Sequence, residues 1–575
     1  MKKFFFTLGR HWAILVLLLF VVLIYTAPQF WLKNSLGGEY QGIYVAVSDS
    51  EMYYAARIHD IYDGHFKLAN AFLYEYKNFP YIQPALPEIL SAGLGYLVFW
   101  ADIPTKIFFA TRVAVPVLVG LLIYLFFWRL TKSKTQGVVG AAVIMLGIEF
   151  LQNYHLFYQL FQNGWPNDRM IDFVRPISPQ YGILFLFLYM IFFWEWLEKG
   201  KSKFLLSAGM VLGLSVYVYF YTWTFILVSN GLMFFYFLKV NKQKAWQLLK
   251  MHVLPLLVVL PYLYNLYQFY QIENRAFLAY HAGQFPSHRF IMNWTIVGGL
   301  ILALLAWKGK GIKFWWLVSF LLGGFIALNQ QVITGQELTP AHYHWYFIAP
   351  VVGVVAVLFI YKFFHLEGKN LQKYIFSILV ITALIGYGYA KHRHSYEYYY
   401  DGLVSEQRFG KLYDWLNSNT PADSVVLMSD RNRADQLAAY TSNNVYYASF
   451  MFLSNTPTQR LRDMHNLNLY LSGATADNID KYLRDHPGIV ANFIGGFSTR
   501  RTTGCRTCFQ DEEFQKAADS FREFSGQDLS DIMRKYKLDY IVHDNVTDAW
   551  KESDLPGLRL KDRVGEFTIY EMVKN

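Results

Sequence analysis

A polytopic α-helical membrane protein with an α/β domain outside the membrane is the fold class this sequence predicts, on three observations. Hydrophobic residues make up 54% of the chain and charged residues only 16%, where ordinary soluble domains carry roughly 25% charged residues. Apolar runs near the length of a spanning helix, about 20 residues, recur from Trp12 to Ala390. The charge is unevenly placed. Residues 391–575 hold 23 Lys/Arg and 26 Asp/Glu, whereas residues 1–390 hold 29 and 16. The chain therefore divides into a basic membrane part, 1–390, and a near-neutral soluble part, 391–575. This composition excludes a soluble enzyme, a disordered tail and a disulfide scaffold. The net charge of +10 sits in membrane loops, so nucleic acid is not an expected partner.

Eleven spans are expected, beginning near Trp12, Ile107, Gln136, Tyr181, Phe204, Thr222, Met251, Ile291, Phe314, Trp345 and Tyr374. The apolar stretch from Phe204 to Leu238 would be about 52 Å long as one helix, so it is split near Tyr221. A twelfth run, Ala85–Trp100, decides the topology. If it lies at the membrane surface or re-enters, six short basic segments fall on one side and together carry 19 Lys/Arg. If it spans, every later basic loop is flipped outside. The positive-inside rule favours eleven spans, a cytoplasmic N-terminus and an extracytoplasmic C-terminal domain in the cell membrane. The first apolar run, of about 18 residues, exceeds the usual core of a secretory leader and reads as a retained span.

Three long loops face outward: 31–106, 152–180 and 330–344. Each is richer in acids, His and Arg than the spans, and such residues mark function near a membrane. The first loop reads Ser48-Asp49-Ser50-Glu51-Met52-Tyr53-Tyr54, then Arg57. A helix beginning near Met52, capped by Asp49 or Ser50 and carrying a solvated acid pair, accounts for these residues. The functional alternative is that the acids hold a divalent cation or take a proton; Mg²⁺ and Mn²⁺ favour carboxylate oxygens together with substrate phosphate. The second loop carries Asp168 and Asp172, four apart as on one helix face, with Arg169 and Arg175, whose forked guanidinium suits phosphate. The third carries Glu337, His342 and His344. The two imidazoles, two residues apart, would point to opposite faces of a strand, which favours donor contact or packing over a shared metal.

The soluble part alternates helix and strand: a helix over 404–418, strands over Val425–Met428 and Val445–Ala448, a helix over Asp528–Lys537, and strands over Tyr540–His543 and Phe567–Met572. That pattern reads as a small α/β domain. Cys505 and Cys508, the only cysteines, read as a local disulfide in a loop.

An acidic-x-acidic pair just after the first span, followed by Tyr-Tyr-x-x-Arg and Asp63-Gly64-His65, resembles the GT-C superfamily of membrane glycosyltransferases, which includes oligosaccharyltransferase catalytic subunits, protein O-mannosyltransferases and aminoarabinose transferases. Asp49 and Glu51 match the first-loop motif. Asp168 and Asp172 stand where a second acidic pair is expected, at wider spacing, and Glu337 loosely matches the acid of a late outer loop. The segment Trp415–Leu427 resembles the start of the outer domain of oligosaccharyltransferases. Their Trp-Trp-Asp-Tyr-Gly motif is replaced here by Met428-Ser429-Asp430-Arg431-Asn432, which argues against sequon-directed transfer.

The resemblance implies transfer of a sugar from a polyprenyl-phosphate donor to an acceptor glycan, lipid or protein on the outer face, with inversion. Asp49, Glu51 and Glu337 are the expected catalytic acids. Arg57, Arg169, Arg175, His342 and His344 are the expected donor-phosphate groups. Asp49, Asp168 and Asp172 are the expected ligands of Mg²⁺ or Mn²⁺, unless the arginines neutralise the leaving phosphate without metal. Two alternatives are an oligosaccharyltransferase-like enzyme with an altered acceptor site and a lipid-linked-sugar transporter or flippase. A transporter would want charges along a path inside the spans, where only Arg112, Glu149 and Glu195 occur.

Overall fold

The computed structural model describes residues 11–47, 50–153, 155–162, 164, 169–272, 284–307, 311–366, 368, 371–449, 454–494, 505 and 507–573. All eleven expected spans form helices, but not all are long. Among the described residues, eight helices are long and apolar enough to cross a membrane by length and composition: Trp12–Glu39, Ile103–Thr131, Gln180–Lys199, Phe220–Val240, Lys242–Tyr270, Ile312–Thr334, Pro340–Phe363 and Leu371–Asn419. The runs expected from Gln136, Phe204 and Ile291 fold as Lys134–Gly147, Ser202–Ser215 and Trp294–Ala306, of 14, 14 and 13 residues. Each measures about 20 Å at 1.5 Å per residue, short of a full crossing. The local causes are visible. The helix from Lys134 meets a single turn at Ile148, which keeps φ −60° and ψ −31°, and goes on as the short helix Glu149–Gln152. The helix from Ser202 yields to turns before Tyr219, which is extended. That break falls where the long run was divided in sequence. Ala85–Trp100 forms only the short helix Leu86–Gly95 and one further turn, Tyr96–Val98.

Small residues let these helices approach closely. A Cβ on Gly323 would stand 3.0 Å from the Cα of Ser229, so Ile312–Leu328 and Phe220–Val240 meet nearly backbone to backbone. By contrast, Leu256, Leu257, Leu260 and Leu263 on Val253–Tyr270 are exposed, as befits a helix facing lipid.

The last membrane helix does not stop at the soluble part. Leu371–Glu406 is continuous for 36 residues, about 54 Å, and passes through the 390/391 boundary drawn from charge. It is followed by a turn, Gln407–Phe409, and the helix Gly410–Asn419.

Seven strands are numbered in chain order. β1 (Phe285–Pro286) and β2 (Gln336–Glu337) make a two-strand ladder between loops. β3 (Val425–Met428), β4 (Asn444–Val445), β5 (Tyr540–Asp544), β6 (Leu558–Val564) and β7 (Phe567–Met572) form one sheet in the order β4-β3-β5-β7-β6. β4, β3 and β5 run parallel, with Val426 opposite both Val445 and Tyr540; β7 is antiparallel to β5 and β6. The expected strand at Val445–Ala448 shrinks to β4, and the expected helix over Asp528–Lys537 to Leu529–Arg534. β6 was not anticipated. It is an edge strand carrying Arg559, Lys561 and Arg563, so it lacks a continuous apolar signal. The Sγ atoms of Cys505 and Cys508 are bonded, as expected.

The first long loop is stitched to this domain. Gln407 Oε1 accepts from the Gln41 amide at 3.0 Å, the Tyr44 amide donates to Tyr440 Oη at 2.8 Å, and the Val445 amide donates to the Phe72 carbonyl at 2.9 Å.

Candidate functional site

The helix expected near Met52 spans Glu51–Tyr62, with Ser50 at its N-cap making no side-chain cap bond. Asp49 and Ser48 lie outside the described residues. The helix is buried on most sides, between the bundle and the outer-domain helix Arg431–Tyr440; His59 Nδ1 shares a hydrogen bond of 2.8 Å with the Ala439 carbonyl. Such a position forces its charged side chains to find partners. Glu51 is 4% exposed and meets Arg112 at 2.5 Å. Arg112, an arginine within an apolar span, also donates to the Val45 carbonyl at 3.3 Å. Arg57 meets Glu88 at 2.6 Å and donates to the carbonyls of Leu68 and Gln83 at 3.2 Å each. The adjacent Glu88 carboxylate holds the Arg57 guanidinium protonated against its burial.

Beside the Glu51–Arg112 pair opens a small pocket of about 50 Å³, walled by Tyr44, Met52, Phe108, Pro176 and Tyr440. It draws on the first loop, the second loop, a span and the outer domain at once.

The second loop enters through Arg175. Its guanidinium carbon lies 5.7 Å from the Tyr54 ring, and Nη1 donates to Tyr346 Oη at 3.1 Å. Its Nε is buried without a hydrogen-bond partner. Unlike Arg57 and Arg112, it has no carboxylate within 4.0 Å among the described residues. Asp172 is close enough to act on it by charge, and burial raises the Asp172 carboxyl above the usual range despite the hydrogen bond from Gln152 Nε2 at 3.0 Å. Asp172 opens a single 3₁₀ turn, Asp172–Val174, and residues 169–171 are not helical. The shared helix face expected for Asp168 and Asp172 is therefore not formed, and Asp168 itself lies outside the described residues. Arg169 is exposed.

The third loop enters through a helix, not a strand. Pro340–Tyr343 runs directly into the wider turn His344–Ile348. His342 and His344 still diverge, because residues two apart on a helix lie on different faces. His342 shares a hydrogen bond of 2.6 Å with Tyr219 Oη, and its ring lies 4.9 Å from Tyr221 and 5.3 Å from Tyr346. His344 has both ring nitrogens in the scaffold: Nδ1 accepts from Asn293 Nδ2 at 2.9 Å and Nε2 donates to the Gln152 carbonyl at 2.8 Å. Glu337 is buried in β2, paired with Phe285.

The first two loops thus meet around Arg175, through Tyr54, and the turn that follows the third loop joins them through Tyr346. Sequence reasoning named Arg175 but missed its tyrosine surround, since tyrosine is common along the whole chain. It noted Arg112 only as a charge within a span. For a divalent cation, the described residues contain no group of three or more His, Cys, Asp or Glu placed to hold one. Two of the three expected ligands, Asp49 and Asp168, are outside those residues.

No family model and no curated protein matches the chain. Among solved structures, it is similar to the apo oligosaccharyltransferase of Archaeoglobus fulgidus at 15% identity, covering 92% of this chain and 69% of that one, with a TM-score of 0.47. It is similar to AglB of the same organism, in complex with an inhibitory peptide and a dolichol-phosphate, at 14% identity over 93% and 70%, with a TM-score of 0.43. It is also similar to ArnT from Cupriavidus metallidurans bound to undecaprenyl phosphate, at 10% identity over 97% and 98%, with a TM-score of 0.43.

Proposed function

We propose that this chain is a membrane glycosyltransferase that moves a sugar from a polyprenyl-phosphate donor to an acceptor at the end of the bundle bearing the outer domain. The observation that supports it is Arg175: a guanidinium without a carboxylate partner among the described residues, set where the first and second loops meet the turn that follows the third. A phosphate leaving group needs a cation that is not already neutralised. Arg57 and Arg112 are neutralised by Glu88 and Glu51. Tyr54 and Tyr346 hold the Arg175 fork in place and can donate hydroxyl protons to the same phosphate.

In this reading the acceptor hydroxyl oxygen attacks the anomeric carbon as the carbon–oxygen bond to the donor phosphate breaks. The hydroxyl proton passes to Asp49, and the electron pair leaves on the lipid phosphate facing Arg175. Attack from the side opposite the phosphate inverts the anomeric centre. Glu51, paired with Arg112 at the first turn of its helix, holds that helix in this reading and does not act as the base. A bound divalent cation would add charge neutralisation at the phosphate; Asp49, Asp168 and Asp172 are its candidate holders, but the described residues do not compose a site, and no step here depends on one. Donor identity, acceptor class and the outward orientation belong to the proposal.

Transfer from a polyprenyl-phosphate sugar by purified Arg175→Gln protein tests it. Loss of one preorganised donor to a developing anion predicts a fall in kcat of about 10²–10³-fold. Arg175→Lys, which keeps the charge without the fork, should be intermediate. Activity of Arg175→Gln within a few-fold of the parent would remove the support.

A further inference from the structure

We infer that the outer domain binds a carbohydrate chain in the crevice beyond the C-terminal ends of β3 and β5; that this chain belongs to the acceptor rests on the proposed transfer reaction. The topology points to the place. From β3 the chain passes to β4 on one flank, then returns through helices to β5 on the other. Where connections from neighbouring parallel strands diverge, a crevice forms outside their carboxyl ends. The structure has a pocket there, of about 1160 Å³ including its open mouth. Ser429 and Asp430 line it directly after β3, and Thr547 and Asp548 after β5. The end of the long membrane helix completes the wall with Ser405 and Arg408.

The chemistry of the wall narrows the ligand. Both lining arginines are committed. Arg408 Nη1 donates to Asp544 at 3.0 Å and to Glu566 at 2.8 Å, and Arg433 meets Glu406 at 2.7 Å. Of the three lining carboxylates, Glu566 pairs with Arg408 and Asp430 lies 3.8 Å from Arg433 Nε, which leaves Asp548 as the one with no arginine within 4.0 Å among the described residues. That balance disfavours phosphate or any other anion. It suits a neutral ligand rich in hydroxyl donors, which carboxylates accept well. The hydroxyls of Ser472 and Thr547 already donate, to the Asn468 carbonyl and to Asp544 Oδ2 at 2.8 Å each, and keep lone pairs with which to accept from a ligand. Val546, 65% exposed, offers apolar surface to the C–H face of a sugar ring.

The test is saturation-transfer NMR on the full chain in nanodiscs. The probes are neutral hexose and N-acetylhexosamine oligosaccharides, with inorganic phosphate and a threonine-containing tripeptide for comparison. At least one neutral saccharide should bind saturably. Asp548→Asn should weaken that binding about tenfold, the worth of one charge-assisted hydrogen bond. Asparagine keeps an oxygen to accept from the Asp544 amide, now 2.9 Å from Asp548 Oδ2, so the fold should persist. Ser472→Ala serves as the second variant, should the first not fold. Binding by none of the saccharides, binding unchanged in the variants, or binding only by phosphate or the tripeptide overturns the inference. Asp49→Asn should leave saccharide binding intact. If it also leaves transfer intact while the pocket variants lose saccharide, the catalytic reading fails and this site stands.

Discussion

At the scale of single residues, Asp49 and Glu51 have different expected consequences although both belong to one motif. Ser50 occupies the N-cap of Glu51–Tyr62, so Asp49 is not needed as the cap, and Asn in its place would serve that role equally well. Asp49→Asn should lower sugar transfer at least about 10²-fold, the low end for losing one general base, with little change in melting temperature. Near-parent turnover in a transfer assay would remove Asp49 from the mechanism. Glu51 is tied to folding instead. Arg112→Met takes the guanidinium partner from the buried Glu51 carboxylate and should cost about 3–5 kcal/mol; adding Glu51→Gln should recover most of that loss in a detergent unfolding series. A double variant as unstable as the sum of the two single variants would show that the pair is not coupled.

At the scale of elements, the first loop and the outer domain are joined by one polar cluster. His65 Nδ1 shares a hydrogen bond of 2.9 Å with Asp60 and Nε2 lies 3.4 Å from Asp423, while Lys77 meets Asp60 closely and Asp423 at 3.5 Å. The bond to Asp60 raises the His65 pKa, against burial and the nearby Lys77, with Asp423 adding to the rise. A raised folded-state pKa means that the contribution is complete below the ordinary value of about 6.5 and is lost as pH climbs through the folded value. His65→Gln should therefore lower the melting temperature near pH 6 and match the parent near about pH 9. An equal deficit at both pH values would sink this account. Close approach is a second element-scale constraint. A Cβ on Gly410 would clash with the Gln41 side chain and backbone, so Gly410→Ala should loosen this junction and raise proteolysis within residues 37–47.

At the scale of the whole molecule, the charge bias predicts that the loop near Ser202 is cytoplasmic and the sheet domain extracytoplasmic. A single cysteine placed at Ser202 should resist an impermeant thiol reagent in intact cells. Labelling there would invert the molecule and with it the proposed outward site.

Much of the architecture was legible because its signals are local and additive. A run of apolar residues makes a helix wherever it lies, so each expected span appears near its expected start. β3, β5 and β7 were legible for the same reason, as short buried runs bounded by turns. Span length was less legible: the turn at Ile148 follows Gly147 and the helix from Ser202 ends two residues after Gly213, yet Gly137, Gly140 and Gly209 leave the same helices unbroken, so a glycine alone does not mark the end. Nor does composition reveal that the last span and the outer domain share one continuous helix, since apolar and polar segments can both be helical. The site was legible only as a set of residue types in three loops. Which cation is neutralised and which is left for a phosphate depends on contacts between residues far apart in sequence: Glu51 with Arg112, Arg57 with Glu88, Arg175 with Tyr346. Residue order alone determined the class of apolar membrane-type helices, the C-terminal α/β domain and the set of candidate acids. Tertiary structure decided the pairing of charges, because a buried charge takes its partner from whatever the fold brings within a few ångströms.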